Sequence, residues 1–296
     1  MILGLNEKEY FASGHRACPG CGQALAVRHV LKAAGDNTII VNATGCLEVF
    51  STPYPETSWK LPYIHVAFEN AAAVASGIYR ALKIQNKKSN ILALAGDGGT
   101  FDIGLQALSG AIERKEKFTY VCFDNSAYMN TGVQRSSATE KYMETSTTPY
   151  GKKIHGNLLW KKPMPFIIAA HNVNYVATAS VSEPIDINNK IKKALNSEGV
   201  SYVQILSPCP LGWKYESSKT IEIAKLAVET KFYPIFEIEN GVLKLKNIEN
   251  PKDVKTFLAM QGRFKHVNSN EVEEIKRYIN EQWNRLLELD KSKAKL

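Results

Sequence analysis

The chain has 296 residues, of which 44% are hydrophobic and 22% are charged, and these proportions are typical of a globular protein rather than a disordered or fibrous one. No stretch reaches about 18 uninterrupted apolar residues and no secretory-signal pattern is visible, so we expect no membrane span and a cytoplasmic location. The net charge of +8 comes from basic residues spread along the chain without a nucleic-acid-binding motif, so no nucleic-acid partner is expected.

Short apolar segments alternate with amphipathic segments through the first two thirds of the chain. This alternation predicts an α/β fold with a mainly parallel sheet flanked by helices on both faces. In chain order, the pattern predicts strand 38–42, helix 69–83, strand 91–95, helix 103–114, strand 118–123, an apolar segment 166–170, strand 175–180, helix 185–195 and strand 201–206. Residues 126–165 show no periodic pattern, and a loop of that length in a compact domain usually has a function.

The pattern changes after Pro210. Residues 232–238 and 242–245 resemble strands and flank Asn240-Gly241, a pair that is typical of β-hairpin turns. Two helices are predicted beyond the hairpin, at 253–260 and 271–289. We therefore divide the chain into an α/β domain, residues 1–210, and a C-terminal hairpin-and-helix extension, residues 211–296, that packs on this domain or on a partner subunit.

The chain contains five cysteines, and an odd number without an export signal argues against a disulfide framework. Cys18 and Cys21 form a Cys-x-x-Cys pair, which is typical of a redox dithiol, a zinc half-site or an iron–sulfur half-site. Cys46 and Cys209 follow predicted strands, whereas Cys122 lies inside one and is interpreted as a buried apolar residue. The other four cysteines suit a [4Fe-4S] cluster or a zinc ion.

The segment Gly96-Asp97-Gly98-Gly99 directly follows a predicted strand and precedes a predicted helix. Glycines at such a junction let the backbone approach a phosphate group, and a helix N-terminus attracts anions. Asn125 follows the next predicted strand, and neighbouring parallel strands bring both tips to one edge of the sheet. Asp97 and Asn125 can then bind one Mg²⁺ together with a backbone carbonyl and diphosphate oxygens. The alternative is that the two segments are unrelated turns.

The segment Tyr128-Met-Asn-Thr-Gly132 continues from this position into the long loop. Asn130 and Thr131 are short polar residues that are well placed to meet a substrate. Ordinary turn formation explains the same residue types equally well.

Four motifs together resemble one known family. They are Gly-His-Arg-Ala-Cys-Pro-Gly-Cys-Gly at 14–22, Asn-Ala-Thr-Gly-Cys at 42–46, Gly-Asp-Gly-Gly-Thr-Phe-Asp-Ile-Gly at 96–104, and the segment 124–132. In this order they resemble the β subunit of pyruvate:ferredoxin oxidoreductase, or pyruvate synthase, within the 2-oxoacid:ferredoxin oxidoreductases. The resemblance runs from about residue 8 to residue 265 and implies the thiamine diphosphate-binding α/β fold for residues 1–210.

The resemblance implies roles for individual residues. Asp97 and Asn125 would bind Mg²⁺ through their side chains and Ala127 through its carbonyl, and Asn130 and Thr131 would be catalytic. Besides the metal ligands, thiamine diphosphate would contact Thr44, Gly45, Gly96, Gly98 and Gly99. The ligands of one [4Fe-4S] cluster would be Cys18, Cys21, Cys46 and Cys209. The implied cofactors are thus thiamine diphosphate, Mg²⁺ and the cluster.

The implied activity is the oxidative decarboxylation of pyruvate with coenzyme A to acetyl-CoA and CO₂, or the reverse, with electrons passing through the cluster to ferredoxin. The implied partners are an α subunit that completes the active site, a γ subunit and a ferredoxin-like δ subunit. The chain itself has no C-x₂-C-x₂-C-x₃-C run of a bacterial ferredoxin, which agrees with a separate electron-transfer subunit.

Three alternatives remain open. The same machinery could act on another 2-oxo acid, such as a branched-chain or aryl acid. A thiamine-dependent carboligase without a cluster would not need the four cysteines. A non-catalytic protein with a Cys₄ zinc site would differ from the first two in its metal content.

Overall fold

The computed structural model describes residues 4–296, and these residues form an eight-stranded sheet. The strands are β1 Thr38–Ala43, β2 Tyr63–Val66, β3 Asn90–Gly96, β4 Phe118–Asp124, β5 Tyr175–Ser180, β6 Val200–Leu206, β7 Phe236–Glu239 and β8 Val242–Leu245. Their order across the sheet is β2-β1-β3-β4-β6-β5-β7-β8. The first six in this order are parallel, and β7 and β8 are added antiparallel beside β5. The predicted class, a mainly parallel α/β fold, is confirmed.

Helices cover both faces of the sheet. They are α1 Gly22–Ala34, α2 Cys46–Ser51, α3 Ala71–Ile84, α4 Leu105–Glu113, α5 Met164–Ala169, α6 Pro184–Asn196, α7 Pro210–Trp213, α8 Thr220–Glu229, α9 Val254–Ala259 and α10 Ser269–Ser292. Successive strand residues point to opposite faces, so Ile40 packs with α1 and α6, whereas Val41 packs with α3, α4 and α5. Within residues 4–296, no helix is both long and apolar enough to cross a membrane.

The C-terminal segments extend the sheet and build a third apolar core. The β7–β8 hairpin has Asn240 and Gly241 at its turn, both at positive φ, which is the geometry that an Asn-Gly pair predicts. The third core contains Trp213, residues of α8 and α9, the beginning of α10, and part of the long loop that follows β4. The division into two domains at residue 210 stays a prediction.

The long loop between β4 and α5 contains no helix or strand, as the sequence predicts. Its interior is organised by Asn157, which is only 2% exposed. The Asn157 amide nitrogen donates to the carbonyl oxygens of Thr139, Glu140 and Leu159 at 2.8–3.1 Å, and the amide oxygen accepts a hydrogen bond of 3.0 Å from Arg135 Nε. A buried amide with four partners gives this irregular segment a defined internal structure.

Candidate active site

A cavity of about 180 Å³ opens at the carboxyl ends of β1, β3 and β4. The structure brings together in its lining every residue that was predicted to contact thiamine diphosphate, Mg²⁺ or substrate, namely Thr44, Gly45, Gly96, Asp97, Gly98, Gly99, Asn125, Ala127, Asn130 and Thr131. Cys46, a predicted cluster ligand, also lines the cavity. The sequence analysis assigned no role to the remaining lining residues, which are Gln23, Asn42, Ala43, Leu47, Phe68, Tyr128 and Met129. Neighbouring parallel strands present their carboxyl ends at one edge, so segments far apart in the chain meet here.

Asn42 is a polar residue within the otherwise apolar end of β1. Its side chain is fully buried, its amide nitrogen donates to the Tyr63 hydroxyl at 3.2 Å, and its amide oxygen has no hydrogen-bond partner within the described residues. A buried polar side chain without a partner is costly, so such positions often face a ligand. The polar residue inside an apolar strand is the signal that could have identified it from the sequence.

Asp97 lies at the beginning of the turn after β3 and is 1% exposed. Its Oδ1 accepts a hydrogen bond of 3.2 Å from the backbone N–H of Asn125, and its Oδ2 accepts one of 2.6 Å from Ser136 Oγ. Burial raises the pKa of Asp97, and the negative charge of Asp124 raises it further. The carboxylate is therefore held in place between two loops, and within residues 4–296 no cationic side chain forms a direct ion pair with it.

The side chain of Asn125 reaches both other candidate metal ligands. With its amide nitrogen turned toward them, Asn125 donates to Asp97 Oδ1 at 2.9 Å and to the Ala127 carbonyl oxygen at 2.8 Å. With the amide oxygen at the same position, three oxygens would face one another at these separations. The intervening Ser126 has φ 70°, and its N–H donates to Asp124 Oδ1 at 3.2 Å. This local turn brings the Ala127 carbonyl back to the Asn125 side chain.

The glycines of the cavity differ in their surroundings. A Cβ added to Gly45 or Gly96 would meet no atom within 4 Å, so both leave free space at the cavity wall. A Cβ at Gly98 would instead lie 2.2 Å from Cε1 of Tyr128, whose hydroxyl donates to Asp102 at 2.6 Å. The chain after Gly98 forms a π-helical turn, 99–103, before α4 begins, and π turns are frequent at functional sites.

Asn130 and Thr131 lie at the exposed mouth of the cavity. The Thr131 carbonyl accepts a hydrogen bond of 2.7 Å from Gln134 Nε2, and the Thr131 hydroxyl donates to Gln134 Oε1. Gln134 thus fixes the backbone turn. The Asn130 side chain is exposed beside this turn, where an incoming substrate would pass.

The four predicted cluster ligands lie at the same edge of the sheet, on the side of Cys46. Cys21 directly precedes α1, Cys46 begins α2, and Cys209 directly precedes α7. The backbone N–H of Gly22 donates to the Pro208 carbonyl at 3.1 Å, which joins the Cys18–Cys21 turn to the segment of Cys209. Cys122, by contrast, is fully buried within β4.

The cysteines influence one another's pKa. Burial raises the pKa of Cys21 to about 11 and that of Cys46 to about 12, and in both cases the other cysteines raise it further. Burial and Cys18 also raise the pKa of Cys209. Within residues 4–296, no three or more His, Cys, Asp or Glu side chains are arranged around the position of a single metal ion. Cysteine thiolates are the donor groups that iron–sulfur clusters use.

A buried ion network that sequence reasoning missed lies beneath the cavity. Asp124 Oδ2 accepts from Lys161 Nζ at 2.6 Å and from Gln204 Nε2 at 2.7 Å, and Lys161 also pairs with Glu140 at 3.0 Å. Burial alone would lower the pKa of Lys161, but the two carboxylates outweigh it and raise the pKa. Lys161 therefore remains a cation, compensates Asp124, and fastens the long loop to the end of β4.

Comparison with known proteins agrees with this geometry. Residues 43–205 match the family model of the thiamine pyrophosphate enzyme, C-terminal TPP binding domain. The matched range begins at the end of β1 and ends in β6, so it includes the strand ends at which Asp97 and Asn125 meet. The fold and the matched domain define a thiamine pyrophosphate enzyme.

The relatives narrow this class. Over 291 residues the chain is 52% identical to the pyruvate synthase subunit PorB of Methanocaldococcus jannaschii, with 95% of this chain and 98% of the relative covered. It is 44% identical over 297 residues to the ketoisovalerate oxidoreductase subunit VorB of Pyrococcus abyssi, with coverage of 97% and 95%. The solved 2-oxoglutarate:ferredoxin oxidoreductase from Magnetococcus marinus shares the fold, with TM-score 0.59, 22% identity and coverage of 75% of this chain and 82% of that chain. The chain belongs to the PorB family, the β subunits of 2-oxoacid:ferredoxin oxidoreductases.

Proposed function

We propose that this chain is the thiamine diphosphate-binding subunit of a cytoplasmic pyruvate:ferredoxin oxidoreductase, which interconverts pyruvate and coenzyme A with acetyl-CoA and CO₂. The observation that best supports the cofactor site is that the Asn125 side chain lies 2.9 Å from Asp97 Oδ1 and 2.8 Å from the Ala127 carbonyl oxygen. Mg²⁺ binds its oxygen ligands at about 2.0–2.1 Å, so adjacent oxygens of an octahedron are about 2.8–3.0 Å apart. The Asn125 side chain therefore has the spacing of an adjacent Mg²⁺ ligand relative to both Asp97 and Ala127.

The surrounding residues fit the remainder of the cofactor. The free space at Gly45 and Gly96 leaves room for a ligand against the backbone, and Asn42 presents an unpartnered amide oxygen. When bound, thiamine diphosphate supplies an electron sink for the electron pair that remains when CO₂ leaves a 2-oxo acid. The protein's own contribution is to hold the metal with Asp97 and Asn125 and to orient substrate with Asn130 and Thr131.

We further propose that Cys18, Cys21, Cys46 and Cys209 hold one [4Fe-4S] cluster beside this site. The supporting observation is that these thiols lie on three segments packed at one edge of the sheet, and that Cys46 also lines the cavity. A cluster held by these cysteines would supply a one-electron acceptor. The electrons would leave through a ferredoxin-like δ subunit to ferredoxin, with α and γ subunits completing the complex.

The test is to purify the native complex without oxygen and to measure its metals and its activity with pyruvate and an electron acceptor. We expect about four iron and four sulfide ions at the site in this chain, and activity that depends on coenzyme A, since each cluster of this type holds four of each. Zinc at one ion per chain without sulfide would instead support the Cys₄ zinc alternative. Full activity of the isolated chain with added cofactors would contradict the need for partner subunits.

The second candidate function is oxidation of a branched-chain 2-oxo acid. It is favoured by the 44% identity to the ketoisovalerate oxidoreductase subunit across 97% of this chain. The same preparation distinguishes the two functions if pyruvate and 3-methyl-2-oxobutanoate are compared by kcat/KM. A preference for pyruvate supports the first function, and a preference for the branched acid supports the second.

A further inference from the structure

The short helix α7 contacts the groups proposed to bind the cluster and the groups proposed to bind Mg²⁺. At its beginning, Cys209 Sγ accepts a hydrogen bond of 3.4 Å from the backbone N–H of Gly212. At its end, the fully buried Trp213 donates from Nε1 to the Asn125 carbonyl oxygen at 2.7 Å. One turn of chain therefore touches a cluster-ligand candidate and the backbone of a metal-ligand candidate.

A second contact joins the same turn to the cavity wall. A Cβ added to Gly212 would lie 2.1 Å from Met129 Sδ, so the methionine packs directly on the bare backbone of the turn. Met129 lines the cavity beside Asn130. Helix α7 is thus in contact with the segment 125–130 at two separate points.

The indole of Trp213 is held in one orientation from its other face. The guanidinium carbon of Arg263 lies 3.6 Å from the centre of the Trp213 ring, and Arg263 is itself fully buried. Arg263 Nε donates to Gln261 Oε1 at 2.8 Å, and Arg263 Nη1 lies 3.2 Å from Met143 Sδ. A ring stacked on a tethered guanidinium transmits a displacement of one neighbour to the other instead of absorbing it.

We propose that Trp213 is a positioning residue that couples the occupancy of the thiamine diphosphate site to the reduction potential of the cluster, an inference that rests on the proposed function. A shift of the Asn125 backbone upon Mg²⁺ binding moves the indole and, with it, the N–H of Gly212 that bonds to Cys209 Sγ. Hydrogen bonds to the ligand sulfurs are one of the determinants of cluster potential. Coupling between two sites is reciprocal, so the redox state of the cluster also changes the affinity for thiamine diphosphate.

The charge of the cofactor would also change the reduction potential of the cluster directly, through space. The variants below separate this direct effect from the effect that passes through Trp213. Trp213→Phe retains an aromatic ring over Arg263 and removes the N–H donor, but leaves the cofactor charge and the four cysteines unchanged. Trp283→Phe is the matched control, because Trp283 of α10 is also a buried tryptophan, 4% exposed, but belongs to a different apolar core from Trp213.

The experiment is a redox titration of the native complex, followed by electron paramagnetic resonance, with and without thiamine diphosphate and Mg²⁺. The signal that disappears in Cys209→Ser identifies the cluster of this chain. Couplings between sites are typically at least fivefold, and a fivefold ratio of cofactor affinities between the two redox states equals a potential shift of about 40 mV for one electron. We expect such a shift in the unchanged complex and in Trp283→Phe, and less than half of it in Trp213→Phe.

Gly212→Ala provides a second variant, because its added Cβ would separate the turn from Met129 and should also reduce the shift. A full shift in Trp213→Phe or in Gly212→Ala, or no shift in the unchanged complex, would overturn the coupling role of this turn. A complex that lacks this cluster or does not bind thiamine diphosphate would overturn the proposed function instead. The two failures are therefore distinguishable.

Discussion

Replacing Asp97 by Asn tests the proposed metal site with little change in side-chain size. The carboxylate is 1% exposed and accepts hydrogen bonds from Ser136 Oγ and from the Asn125 backbone. The substitution removes the only full negative charge among the three candidate Mg²⁺ ligands. A charge-assisted contact is worth about 1.5–3 kcal/mol, and this corresponds to an affinity for thiamine diphosphate that is about 10- to 150-fold weaker.

The assay is calorimetric binding of thiamine diphosphate to the cofactor-stripped complex at several Mg²⁺ concentrations. In the unchanged protein the affinity should rise with Mg²⁺, and in Asp97→Asn this dependence should weaken. Asp186→Asn is the control, because Asp186 of α6 is a partly buried carboxylate that pairs with Lys190 at 2.7 Å and does not line the cavity. The visible absorption of the cluster should persist in both variants. An unchanged affinity and Mg²⁺ dependence in Asp97→Asn would refute the assignment of the metal site.

Three further predictions follow from other parts of the structure. Gly98→Ala should destabilise the protein by about 1–3 kcal/mol, because its Cβ meets the facing tyrosine ring, whereas Gly77→Ala in α3 meets no atom and should stabilise it by about 0.5–1 kcal/mol; equal melting temperatures would contradict the close contact. Cys209→Ser should lose iron and sulfide on metal analysis while Cys122→Ser retains both, and the reverse result would exclude the proposed ligand set. Hydrogen bonds from an arginine and a lysine hold the pKa of Glu9 at about 2, so Glu9→Gln should lower stability by roughly 1 kcal/mol at neutral pH. Because the folded pKa is depressed, that difference should disappear as the pH falls from 4.5 toward 2 in urea titrations, and a difference independent of pH would show that the ion pair is not its cause.

The strands and several helices could be predicted from local patterns. A short apolar run has the length of a buried strand, and joining the central sheet is how such a run is removed from water. β5 begins and ends where the pattern predicts. The other parallel strands from β1 to β6, apart from β2, differ by one residue at one end or, for β3, at both ends. β7, in contrast, begins at Phe236 rather than at residue 232. The reason is Pro234, which lacks an N–H, while the Thr178 hydroxyl donates to the Pro234 carbonyl at 2.8 Å and accepts from the Phe236 N–H at 2.9 Å.

Other elements could not be predicted from local patterns. β2 has only four residues, Tyr63–Val66, and pairs only with β1, so its sequence has no buried apolar run. The helix expected at 103–114 begins with a π turn at 99–103, which leaves no distinct periodicity. α1, α2, α7 and α8 were not predicted, and the apolar segment 166–170 largely forms α5.

In the candidate site, too, some residues could be predicted from the sequence and others could not. Asp97 and Asn125 could be identified because their chemistry and their position after strands point to one edge of a parallel sheet. Ser136 and Lys161 lie in the irregular loop after β4, and Trp213 ends the four-residue helix α7. All three contact the candidate site or its supports, but a serine, a lysine or a tryptophan has no sequence signature for such a role. Their contribution depends on long-range packing that only the three-dimensional structure shows.

The buried amide of Asn157 has a thermodynamic consequence for ligand binding. Fixing the backbone of a flexible residue costs about 1–2 kcal/mol at room temperature, so a long loop that became ordered only around its ligand would lose much of the intrinsic affinity. Here that entropy is lost during folding, because Asn157 and Lys161 already connect the loop to itself and to the end of β4. The loop beside the cavity is therefore a preorganised wall, not a closing lid, and its buried backbone amides should exchange with solvent about as slowly in the absence of cofactor as in its presence.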